Sequence, residues 1–200
     1  MKSQRISRLC FLGICDGFSL KSIDLFLLFI QKQKMIAGLD LSINSTGVYV
    51  NDDTYILIVS KMTKKQKENK NPKLKIIEYN KTDDINNNLY QITNIILREL
   101  KDKGVTKVSI EDVALGAIHS RSLIDLTGLN YWMRCLLKEN NIDFITTPPT
   151  SWKKEMIGNG QATKDLIIDA WMRITGFDSD LKKVDDIADA YFLCKFLEKM

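Results

Sequence analysis

The chain has one histidine in 200 residues and four cysteines, Cys10, Cys15, Cys135 and Cys194, none of them in a C-x-x-C pair. This argues against a zinc site and against a disulfide framework, and reduced, mostly buried thiols in an intracellular protein are expected. No stretch approaches the roughly 18 consecutive apolar residues of a membrane span, so no membrane partner is expected. A charge excess is also missing from most of the chain. The formal net charge of +4 lies entirely within the first 34 residues, and the remainder carries 23 basic and 23 acidic side chains. Overall charge therefore gives no argument for a nucleic-acid partner, and only local clusters can.

What is present suffices for one domain with an appendage, since 44% of the residues are hydrophobic. Residues 1–34 differ from the rest, with scattered basic side chains and apolar patches at 11–15 and 25–30. A targeting peptide, a short accessory helix and a dispensable extension all fit this composition. The last is expected, with the working domain at 35–200, because Met35 directly precedes an apparent first strand.

The periodicity after Met35 alternates between strand and helix. Short apolar or alternating runs at 35–40, 48–50, 55–60 and 74–79 read as strands, with a polar turn at 42–47 and a turn signal at Asn51-Asp52-Asp53. Ile92, Ile95, Ile96 and Leu100 follow helical spacing within 89–103, before Gly104. A strand at 107–113, a helix at 120–140 and a strand at 142–146 follow. Helices are expected at 150–157, 163–175 and 186–199. The order read from this is a run of strands, then helix, strand, helix, strand and helices, without repeats. It describes an α/β protein: an antiparallel meander followed by parallel βαβ units, making a mixed sheet with helices on both faces.

Four acids stand out on this frame. Asp40 and Glu111 lie near the ends of two strands, and Asp186 and Asp189 share one face at the start of the last helix. Singly, each has an ordinary structural role open to it: a turn or helix cap for Asp40 or Asp186, a solvent-facing position for Asp189. Together they offer the all-oxygen ligand set that a hard cation such as Mg²⁺ takes, and two such ions suit phosphodiester hydrolysis.

The motifs around these acids add a resemblance. Gly38-Leu39-Asp40-Leu41-Ser42-Ile43-Asn44-Ser45-Thr46-Gly47, Val108-Ser109-Ile110-Glu111-Asp112-Val113, the stretch from Pro149-Thr150-Ser151-Trp152-Lys153-Lys154 to Thr163-Lys164, and Asp186-Ile187-Ala188-Asp189-Ala190 fall in the order of the RuvC motifs. Residues 35–200 resemble the RuvC Holliday junction resolvases. The resemblance implies an RNase H-like fold and a homodimer that cuts four-way DNA junctions symmetrically. It also implies Mg²⁺ (two ions per site, with Mn²⁺ able to substitute) held by Asp40, Glu111, Asp186 and Asp189, with Lys164 in a catalytic role. Lys153, Lys154 and Lys164 are the expected DNA-binding residues. Three departures point to a viral, phage or otherwise divergent member: Leu41 and Ser42 follow Asp40 where proline and glycine are usual, the 61–75 insertion is long, and Ala114 stands where bacterial members often place an aromatic, the last bearing on junction selectivity.

Other features have plainer readings. Residues 61–75 hold seven lysines and one glutamate, a solvated loop or a track for a DNA arm. His119 reads as a surface residue. Leu123, Leu126, Leu129, Trp132, Met133 and Leu136 form an apolar stripe that packs in the core or, where exposed, forms a dimer contact. Three other functions compete. An actin-like or Hsp70-like nucleotide-binding domain would need a second glycine-rich loop in a longer chain, and a non-catalytic module would be expected to lack one of the acids. A nuclease of the same fold acting on other branched or flap DNA remains an alternative.

Overall fold

Alternation along the strands sorts the core into two layers. On the strand Thr54–Val59, Tyr55, Leu57 and Val59 enter one apolar cluster while Ile56 and Ile58 enter another. The computed structural model describes residues 34–113, 121–177 and 180–200. The expectations on residues 1–33, Ala114 and His119 lie outside the described residues.

Six strands form one mixed sheet in the order β4-β3-β2-β1-β5-β6. They are β1 (Ile36–Asp40), β2 (Ser45–Val50), β3 (Thr54–Val59), β4 (Leu74–Glu78), β5 (Lys107–Glu111) and β6 (Asp143–Thr147). β1, β2 and β3 run antiparallel, and β5 and β6 are parallel to β1. The mixed sheet with helices on both faces is thus present, with two differences. β4 pairs parallel to β3 instead of continuing the meander. The turn expected at 42–47 is shorter, because β2 begins at Ser45. Thr46 closes that turn: its hydroxyl accepts from the Ser42 amide (3.1 Å) and donates to the Ser42 carbonyl (2.7 Å).

The parallel β3–β4 crossover is short. It contains α1 (Lys64–Lys67), capped by reciprocal hydrogen bonds between Thr63 and Gln66. The 61–75 segment is therefore tied down. Lys64, Lys65, Lys73 and Lys75 pair with Glu68, Asp180, Asp53 and Glu99, and Gln66 donates to the Lys182 carbonyl.

One face of the sheet is covered by α2 (Ile85–Asp102) and α3 (Arg121–Glu139), which bury Ile92, Ile96, Leu100, Leu129, Met133 and Leu137 against Leu39, Val48 and Ile110. The other carries α4 (Pro149–Ile157), α5 (Lys164–Thr175) and α6 (Val184–Glu198). Trp152, Trp171, Tyr55 and Phe192 are its largest fully buried side chains. Of the described cysteines, Cys194 is buried here as expected, whereas Cys135 on α3 is exposed.

The helix α6 lies directly on β1 and β2, and two glycines permit it. A Cβ on Gly38 would sit 2.0 Å from the Ala190 carbonyl oxygen, and one on Gly47 would sit 2.0 Å from the Asp186 carbonyl oxygen. Both obstacles are backbone, which cannot swing aside as a side-chain tip can. Gly38→Ala is accordingly expected to cost about 3 kcal/mol of stability or more, the upper part of the range for overpacking. Urea denaturation measures it, and a loss below about 1 kcal/mol would contradict the close approach.

Candidate active site

Strand register brings the first two acids together. β1 and β5 run parallel with Leu39 opposite Ile110, so Asp40 and Glu111 follow as neighbours at adjacent strand ends. Leu39 and Ile110 point into the α2–α3 layer, which turns Asp40 and Glu111 toward α6. On the other side of Asp40, its β2 partner is Gly47, whose missing side chain makes room for the Asp186 backbone. The first turn of α6 is thereby set over the same end of the sheet, with Asp186 and Asp189 one turn apart on it.

The four acids act on one another. Burial, followed by the charges of Glu111, Asp189 and Asp186, holds the Asp40 carboxyl well above the usual carboxylate range, and Lys164 opposes this. Burial raises Glu111, against a hydrogen bond from Trp152 and the charges of Lys153 and Lys164. Asp186 is pushed up to about 6 by burial, offset in part by a hydrogen bond from Ser45. Asp189 is pushed up to about 7, mainly by burial and then by Glu111. Like charges brought together with partial loss of water have this signature, and a cation relieves it.

The donor set suits a hard divalent cation: four carboxylates, no sulfur and no imidazole. Among the described residues, no three aspartate, glutamate, histidine or cysteine side chains already stand close enough to enclose an ion. The acids thus share a field without forming a closed cage, an arrangement that unneutralised repulsion favours.

The lysines separate into two groups. The Lys164 ammonium, at the start of α5, is hydrogen-bonded to Asp185 and acts on all four acids. Lys153 acts on Glu111 and Asp189, with its ammonium 5.4 Å from the Trp152 ring centroid. Lys154 is exposed and is not among the charges that act on the acids most.

Two supporting residues went unrecognised in the sequence. Ser45, buried at the start of β2, donates its hydroxyl to Asp186. Trp152, fully buried on α4, donates its indole N–H to Glu111 Oε1 at 2.9 Å. Both lie inside the quoted motifs, but neither residue type signals a carboxylate partner; only the register and the helix approach reveal one. On the α3 side, Asn130 donates to the Glu111 carbonyl (3.0 Å) and Arg134 pairs with Asp112 (3.1 Å). A cleft of about 200 Å³ between these groups opens onto Asp40 and Glu111. A second, of about 490 Å³, shares Leu126 with it and is lined by Lys81 and Arg121 as well as Asp83 and Asp125.

Solved structures share this architecture. Thermus thermophilus RuvC in complex with Holliday junction substrate superimposes with a TM-score of 0.55 and 16% identity, over 81% of this chain and 91% of that one. RuvC of the same organism in a second structure gives 0.55 and 15%, over 83% and 96%. The fold is that of RuvC. No protein-family model and no curated protein matches the sequence. At this identity the likeness shows the RNase H-like fold, reached by a divergent sequence. Among the described residues, no helix is long and apolar enough to cross a membrane.

The raised carboxyl groups set a pH dependence. A carboxyl whose folded-state pKa lies above its unfolded value favours folding at low pH, and that contribution is lost as pH rises through the folded value. With Asp186 at about 6 and Asp189 at about 7, the metal-free protein should lose thermal stability between about pH 5 and about pH 8. Mg²⁺ or Mn²⁺ should restore more of it at the higher pH. Asp189→Asn should flatten the metal-free profile. Calorimetric Tm values across this range, with and without the ion, test the expectation, and a flat wild-type profile would contradict it.

Proposed function

We propose that the protein is a divalent-metal-dependent endodeoxyribonuclease that resolves four-way DNA junctions. The observation that carries this is the meeting of Asp40, Glu111, Asp186 and Asp189, from two strands and a helix, at one end of a RuvC-fold sheet. The Holliday junction substrate bound by Thermus thermophilus RuvC supports the choice of DNA.

In this reading the four carboxylates hold Mg²⁺, for which Mn²⁺ can substitute, and the hydrolysis adds water across a phosphodiester bond. The ion would supply charge neutralisation at the scissile phosphate and activation of the attacking water. The chain's own residues position these groups. Trp152 and Ser45 each hold one carboxylate, and Lys164 and Lys153 meet the backbone charge of the strand. Lys154, exposed on α4, contacts phosphate further out. Because 35–200 has no net positive charge, binding depends on these local lysines together with Lys81 and Arg121, and it weakens as salt rises.

Asp40→Asn and Glu111→Gln should each reduce junction cleavage by at least about 100-fold while leaving junction binding within a few fold, since phosphate contacts persist without the acid. Gel assays on a synthetic four-way junction beside a linear duplex and a flap measure both. Near-normal cutting by either variant would remove that residue from the site. Equal cutting of all three substrates would leave a nuclease but not a resolvase.

Two symmetric cuts need two sites related by a two-fold axis, which a homodimer supplies. The helix α3 offers an exposed stripe for that contact: Ile124, Tyr131 and Cys135 at positions i, i+7 and i+11. Sedimentation equilibrium should find a dimer, and Ile124→Glu with Tyr131→Glu should yield monomers. A wild-type monomer at concentrations that cut DNA would rule the dimer out.

A further inference from the structure

A buried indole N–H seeks an acceptor, and a buried carboxylate is the strongest acceptor available to it. Trp152 has no exposed surface, and its partner is one oxygen of Glu111 at 2.9 Å. The described residues offer Glu111 Oε2 no hydrogen bond, so the carboxylate is held at one oxygen and left open at the other. The indole cannot rotate away. Its ring stacks on Phe192 of α6, with centroids 6.1 Å apart and an interplanar angle of 14°. Pro148 and Pro149 set the start of α4 directly after β6, whose Thr147 pairs with Glu111 across the sheet. The sheet therefore fixes the backbone of Glu111, and α4 fixes its side chain.

We propose that Trp152 is a positioning residue: its N–H pins Glu111 Oε1, so that Oε2 is presented to a divalent cation in one orientation. This inference rests on the nuclease reading for its purpose but not for its geometry. A glutamate has three side-chain torsions, and one at a strand end beside three other acids would turn away from them toward solvent. The indole bond prevents that turn in the metal-free protein, so binding an ion does not have to order the side chain. Loss of such a supporting partner costs about 10-fold to 100-fold in metal affinity.

The test is Trp152→Phe, which keeps an aromatic ring against Phe192 and removes the donor. Mn²⁺ affinity of the full chain, measured by calorimetry without DNA, should fall about 10-fold to 100-fold. Wild-type tryptophan emission should change on Mn²⁺ titration, and Trp152→Phe should lose that change although Trp132 and Trp171 remain. The Glu111→Gln background separates positioning from general loosening. There, adding Trp152→Phe should change Mn²⁺ affinity by less than about 3-fold, because the charged acceptor is already gone. Unchanged Mn²⁺ affinity in Trp152→Phe, or an equal loss with and without Glu111, would overturn the proposal. A wild-type protein that binds Mn²⁺ with the expected emission change yet cuts no DNA would overturn the nuclease reading and uphold the positioning role.

Discussion

The approach of α6 to the sheet is the constraint from which the rest of the site follows. Helices normally pack on sheets through a layer of side chains. Here Gly38 and Gly47 remove that layer at two points, and helix backbone meets strand backbone. The consequence is positional: the first turn of α6 cannot slide along β1 without striking a strand, so Asp186 and Asp189 stand at a fixed height above Asp40. The same closeness strips water from the carboxylates, and burial is the first cause of the shift at each of the four acids.

The apolar layer behind the site holds this arrangement. Tyr49, Tyr55, Tyr191, Trp171 and Phe177 form a chain of ring contacts with centroids 4.7–6.4 Å apart, joining β2 and β3 to α5 and α6. Such contacts resist sliding between the layers, because each ring is edged or stacked by the next. Just ahead of the first turn of α6, Gln66 and Lys65 reach across from the β3–β4 crossover to Lys182 and Asp180. A segment that composition reads as a loose, lysine-rich loop thus supports the approach to the helix that carries two of the acids.

The sequence made the acids legible because their positions follow from periodicity: two strand ends and one helix face, in a fixed order. Their neighbours on the adjoining strands were not legible. The pairing of Asp40 with Gly47, and its adjacency to Glu111, depend on which strands become neighbours, a tertiary outcome that the spacing along one strand leaves open. Ser45 and Trp152 carry ordinary core signals, and only the tertiary approach of α6 and α4 gives their polar atoms carboxylate partners. The parallel pairing of β4 was hidden for a different reason. A short crossover through α1 replaces the long helical connection that usually announces a parallel strand.

The pairing of Lys164 with Asp185 has a consequence for how the site would receive a polyanion under the proposed function. The lysine side chain is largely in water and the aspartate is mostly enclosed. A pair with one partner so exposed is worth under about 1 kcal/mol. Moving the ammonium from Asp185 to an arriving phosphate therefore exchanges one weak tether for another of similar strength, and no helix or strand has to shift. In the proposed nuclease the lysine would serve as a ferry between two anchorages: parked beside the acids, it tempers their mutual repulsion, and it would transfer to the strand without disturbing the frame that aligns them.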